Sequence, residues 1–129
     1  MVFAGKRPTN LGVNKGKLAP CHNSPNCVSS QSPDATHKIA PLTFTSTPEQ
    51  AITNLKKIIQ SLARTKIITE SKDYLYAEFK STLLGFVDDV EFYLDRNANV
   101  IQVRSASRLG QSNLGVNRQL IETIRANLK

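Results

Sequence analysis

Asp88, Asp89 and Glu91 lie within four residues of one another. Carboxylates crowded in this way can retain a proton and serve as general acids. A second constellation follows. Arg104 and Arg108 close a strand-like run, Gly110 permits a turn, and Ser112-Asn113 open a helical stretch that carries Arg118. A helix start offers unpaired backbone N–H groups and the positive end of the dipole, and arginine grips carboxylate or phosphate through paired hydrogen bonds. With Ser107, Ser112 and Asn113 as neutral donors, Arg104, Arg108 and Arg118 could hold an anion. The rival reading spends the same arginines on Asp88, Asp89 and Glu91, with the glycines serving a tight turn. Arg108 and Arg118 face no acid in the expected strand register, which leaves them for a ligand.

Cys21, His22, Cys27 and His37 form a third group. A zinc knuckle spaces its paired ligands about two to four residues apart, and these cysteines are six apart, so no metal is expected. The Cys-x-x-Cys spacing of redox-active pairs is missing as well. The preferred reading is two partly buried thiols shaping the 23–26 turn. A structural disulfide is the alternative, and the redox state is left open. No nucleophile elbow, P-loop, Rossmann glycine pattern or HExxH occurs. An enzyme of a familiar class is therefore disfavoured, and no cofactor is expected.

The elements that must position these residues can be read from periodicity. Thr47-Pro48-Glu49-Gln50 carries an N-cap, a first-position proline and a capping-box partner. Ala51, Ile52, Leu55, Ile58, Ile59 and Leu62 then recur at helical spacing, predicting a helix over 48–64. The period next falls to two over 66–70, 74–80, 90–95 and 100–107, predicting four strands. Ser71-Lys72 and Asn97-Ala98 are the expected two-residue turns. Pairing Arg96 with Asn99 sets Leu94 opposite Ile101, Phe92 opposite Val103 and Val90 opposite Ser105. Every large apolar residue then shares one face, with Glu91 opposite Arg104 on the other. An exposed cross-strand ion pair there would contribute ~0.2–1 kcal/mol. Val116, Leu120, Ile121, Ile124 and Leu128 predict a second helix over 113–128.

The expected fold is a two-layer α+β sandwich: a four-stranded antiparallel meander, two helices on its apolar face, and an extended N-terminal arm. The arm, residues 1–41, packs on or flanks an α+β domain at 42–129. Tyr74, Tyr76 and Tyr93 join Glu78, Lys80, Glu91 and Arg104 on the polar face. That face must be solvated, or covered by the arm or by a partner.

Four segments are distinctive as text: CHNSPNCVSSQ at 21–31, HKIAPL at 37–42, GFVDDVEFYLD at 85–95 and RSASRLGQSNLGVNR at 104–118. Together they resemble the bacterial, algal and plant family known as domain of unknown function 1499, over about Leu11 to Lys129. His22 and Asn113 depart from the family pattern, and both keep a turn or cap role. The resemblance implies no activity, substrate or catalytic residue. Some members of that family look exported or plastid-targeted.

The chain has 129 residues, the size of one domain. Its composition, 40% apolar and 21% charged, is that of a globular protein. No apolar run reaches the ~18–20 residues that cross a bilayer. No leader is visible, so a cytoplasmic location is expected. The net charge of +7 admits an anionic partner. Over half of that excess sits on Lys6, Arg7, Lys15, Lys17 and Lys38 of the arm, without interleaved aromatics, which disfavours nucleic acid. The functional expectation is a non-catalytic binding or assembly factor acting on a protein partner or an anionic surface, peripheral membrane contact included. The alternatives are a carrier or sensor of a small anionic ligand at the start of the C-terminal helix, and a hydrolase or transferase using Asp88 or Asp89.

Overall fold

Thr47 starts helix α1 (Pro48–Ser61) as the sequence requires: its Oγ1 accepts from Gln50 N at 3.1 Å, and Pro48 fills the first position. The Gln50 side chain does not close a capping box. It runs along the helix and donates to Asn54 Oδ1 at 2.8 Å. Ala51, Leu55 and Ile59 are buried at four-residue intervals. The helix ends before its apolar stripe does, because Leu62 takes extended backbone and Arg64 turns left-handed at φ 57°. The computed structural model describes residues 6–21, 26–80, 86–108 and 114–128.

Strands β1 (Cys27–Ser29), β2 (Thr65–Glu70), β3 (Tyr74–Lys80), β4 (Val87–Asp95) and β5 (Val100–Ser107) form one antiparallel sheet in the order β1-β5-β4-β3-β2. Helix α2 (Leu114–Asn127) closes the described chain. The β4–β5 register is the expected one: Leu94 pairs with Ile101, Phe92 with Val103 and Glu91 with Arg104. Asp95 Oδ1 holds that hairpin by accepting from Asn97 N and Ala98 N, and Asn99 takes φ 58°. The β2–β3 turn is centred one residue later than expected, on Lys72-Asp73, since Ser71 N donates to Tyr74 O at 2.8 Å.

Period-two alternation sends Leu75, Ala77, Val90, Phe92, Leu94, Ile101 and Val103 into one buried layer. Both helices pack on that face, as the α+β reading anticipates. Leu55 and Ile59 of α1 and Ile121 and Ile124 of α2 complete the core. The sheet has a fifth strand beyond the four-stranded meander. Cys27-Val28-Ser29, inside the arm, pairs with Ala106, Ser105 and Arg104 of β5. Three residues are too short a run to show a period.

The arm also covers the polar face. Asn14–Lys17 makes a tight reversal with two backbone hydrogen bonds, Lys15 at φ 54° and Gly16 at φ 77°, the mirror-image turn that short hairpins favour. Gly12 N reaches Glu91 Oε1 at 2.7 Å, and Arg7 reaches Glu78 at 2.8 Å. Further along, α2 clasps the segment that leads into α1. Arg118 donates to Thr36 O and Lys38 O, and Arg125 to Ala40 O and Pro41 O.

Candidate functional site

Beneath the arm, the polar face is a buried ionic layer and not an open interface. Glu91 is 0% and Arg104 3% exposed, with Arg104 Nη1 3.6 Å from Glu91 Oε2. Glu91 Oε1 accepts from Gly12 N and from Tyr74 Oη at 2.6 Å, while Arg104 Nη2 contacts Pro20 O at 3.4 Å. Burial lowers the Arg104 pKa and raises that of Tyr74, the latter with help from the Glu91 hydrogen bond. Glu91 Oε2 and Arg104 Nε are buried without a hydrogen-bond partner among the described residues.

Arg108 follows the rival reading that spends the arginines on the acids. No acid stands opposite it in the register, yet its Nε and Nη2 each lie 2.9 Å from Asp89, and Nη2 lies 2.5 Å from Glu78 Oε2. From just beyond β5 the side chain reaches back across the sheet face to Asp89, the partner of Ala106, and on to Glu78, a direction that residue-against-residue pairing does not reveal. Tyr76 Oη donates to Asp89 Oδ1 at 2.5 Å; burial first, then that bond, raises the tyrosine pKa. Burial would push Glu78 up, but hydrogen bonds from Arg7, Arg108 and Tyr76 outweigh it and hold it low. Arg118 has no acid partner among the described residues, and its guanidinium is spent on the carbonyls of Thr36 and Lys38. Of the six residues expected at an anion site, Arg104, Ser107, Arg108 and Arg118 are therefore bound within the protein. Ser112 and Asn113 lie outside the described residues.

Asp88 points to the helix layer, separated from Asp89 by strand alternation. Ser107 Oγ donates to Asp88 Oδ1 at 2.5 Å, and Ser105 Oγ donates to Asn117 Oδ1. Asn117, 0% exposed, also donates to Asn26 O at 3.2 Å. The sequence reading missed Asn117, although it shares the stripe of Ile121, Ile124 and Leu128 at helical spacing. A polar residue in an apolar stripe was the available signal.

Burial raises the Asp88 pKa; the Ser107 hydrogen bond opposes this and the Asp89 charge adds to it. An acid raised on folding binds extra protons in the native state. Its ionisation thus costs stability as pH climbs from the ordinary carboxylate range through the folded value. Asp88→Asn keeps an acceptor for Ser107 and removes that cost. Wild type and variant should melt alike in acid and diverge as pH rises, with the variant ahead by on the order of a few degrees at neutral pH. A variant less stable at neutral pH would show that Asp88 is held by attraction, not by burial.

Cys21 and Cys27 are joined in a disulfide with a Cα–Cα distance of 5.6 Å. This replaces the preferred reading of two thiols. The β1–β5 pairing fixes Cys27 at the sheet edge, and the arm folding back over the sheet brings Cys21 beside it, an approach invisible in the six-residue spacing.

Two concavities stand out among the described residues. The larger, about 790 Å³, lies within the arm, between residues 10–21 and the 29–34 segment, with Asn10, Val13, Asn14, Lys17, Gln31 and Asp34 in its lining. The smaller, about 300 Å³, runs between the C-terminal end of α1 and the first turns of α2. No helix among the described residues is long and apolar enough to cross a membrane.

A five-stranded antiparallel sheet with two helices on one face and a folded-back arm on the other defines a two-layer α+β protein whose arginines mainly serve its own architecture. The chain belongs to the family described as protein of unknown function (DUF1499), whose model matches residues 17–128. No curated protein matches it.

Proposed function

We propose that the protein is a non-catalytic binding domain whose ligand is a neutral, polar segment of a partner protein taken up within the arm, between residues 10–21 and the 29–34 segment. The observation that carries this reading is the cleft of about 790 Å³, within the ~300–1,000 Å³ range of ligand sites. Its lining balances Lys17 against Asp34 and otherwise offers neutral amides, hydroxyls and apolar side chains, which favours a hydrogen-bonding partner over an anionic surface. Asp34 is held below its usual range by the His37 hydrogen bond and stays charged. The sheet carboxylates are engaged by Arg104, Arg108 and two tyrosines, an arrangement suited to holding the arm, not to moving protons.

Gly12 and Pro20 line the cleft and also touch Glu91 and Arg104, so occupancy would be felt by the buried pair. The disulfide supports an oxidising setting, since a cytoplasmic one would hold both cysteines as thiols. The test is a titration with a mixture of short uncharged peptides, followed by backbone amide shifts. Shifts should concentrate in residues 10–20 and 29–34. Val13→Arg, at a side chain 38% exposed, should remove them while leaving the melting temperature within a degree or two. Shifts that persist in Val13→Arg, or that fall elsewhere, would overturn the reading.

A further inference from the structure

We infer that the groove between α1 and α2 is a second binding site, on the opposite side of the sheet from the arm, for a single-chain amphiphile with an anionic head. Leu62, Phe79, Val116 and Leu120 supply apolar walls, and Arg64 supplies positive charge. Val116 belongs to the apolar stripe of α2 yet is 54% exposed, so the stripe is left uncovered where it meets the groove.

Arg64 is the second observation. The chain has seven arginines, and those at 7, 96, 104, 108, 118 and 125 all contact protein acceptors. Arg64 has no side-chain acceptor among the described residues. It also occupies φ 57°, a left-handed conformation that costs a non-glycine residue energy and is retained where function or packing demands it. Lys80 N donates to Arg64 O at 3.0 Å, which fixes the two residues side by side. The Arg64 guanidinium suits a carboxylate or phosphate head. Asp88, also in the lining, keeps an anionic head at the cationic rim and leaves the apolar walls to the tail.

The head could belong to a free acid or to a membrane lipid, so the experiment uses both sources. Decanoate below its aggregation threshold is titrated while the amides of 62–64, 79–80 and 116–120 are followed. 1-Decanol and inorganic phosphate serve as half-ligands, and phosphatidylcholine vesicles carrying lysophosphatidylglycerol, which has a single chain, as the lipid source. Saturable decanoate shifts in the groove are expected, with each half-ligand at least tenfold weaker. Arg64→Ala should weaken binding about threefold to tenfold, and Val116→Glu should abolish it.

Arg64→Gly separates binding from folding. It should lose affinity like Arg64→Ala while the melting temperature holds or rises, because glycine accepts positive φ. Vesicle binding that depends on the same residues, alongside groove shifts with decanoate, supports the site and assigns a lipid source; decanoate shifts without vesicle binding support it and assign a free acid. Equal shifts from decanol and decanoate, decanoate affinity unchanged by the Arg64 variants, or vesicle binding without groove shifts would each overturn it.

Discussion

Replacing Arg104 by methionine is expected to cost about 3–5 kcal/mol, read as a lower denaturant midpoint at unchanged slope. The magnitude follows from burial. Glu91 is 0% exposed, and in the variant its charge would keep two donors, Gly12 N and Tyr74 Oη, but lose the Arg104 guanidinium that faces it. A pair of the exposed kind, which the sequence alone suggests, would cost less than about 1 kcal/mol when broken. Adding Glu91→Leu should recover much of the loss, since an apolar replacement of a whole buried pair is often tolerated. Recovery should stop short by about 1–3 kcal/mol, because Gly12 N and Tyr74 Oη then lose their acceptor. A loss under 1 kcal/mol in the single variant would mean that the arm does not seal the sheet face.

Reducing the Cys21–Cys27 disulfide should destabilise the protein by about 2–3 kcal/mol, the chain-entropy value for a closed loop this short. That corresponds to a melting temperature lower by on the order of 10 °C. The bond ties the arm to the strand paired with β5, so limited proteolysis should cut first within residues 6–20 after reduction. The double variant Cys21→Ser, Cys27→Ser should start from the reduced value and ignore reductant. Protein alkylated under denaturing conditions directly from its source should show no labelled cysteine if it matures in an oxidising setting. Full labelling would favour the cytoplasmic one. A melting temperature indifferent to reductant would show that the arm is held by its polar contacts alone.

The sequence by itself determined the parts in which local chemistry and periodicity agree. Thr47-Pro48 fixed where α1 starts, because a side-chain cap and a missing N–H both suit a first turn. The β4–β5 register followed from Phe92, Leu94, Ile101 and Val103, since a slip of one residue would turn all four to the wrong face. The Glu91–Arg104 pairing followed with it. Only the tertiary structure decided what that pairing is worth, because the arm that buries it comes from about eighty residues away and carries no period of its own. For the same reason the fifth strand, the disulfide and the spending of Arg118 on backbone carbonyls stayed out of reach, each depending on a segment folding back over the sheet. For Arg108 the register leaves no opposite acid, and the pairing with Asp89 that the rival reading allowed arises because pairing rules describe backbones, while a long guanidinium side chain reaches Asp89 and Glu78 beyond its own rung. Asn117 was legible in principle: it is the polar residue in the α2 stripe, but its partners Ser105 and Asn26 are brought together only when the helix docks on the sheet.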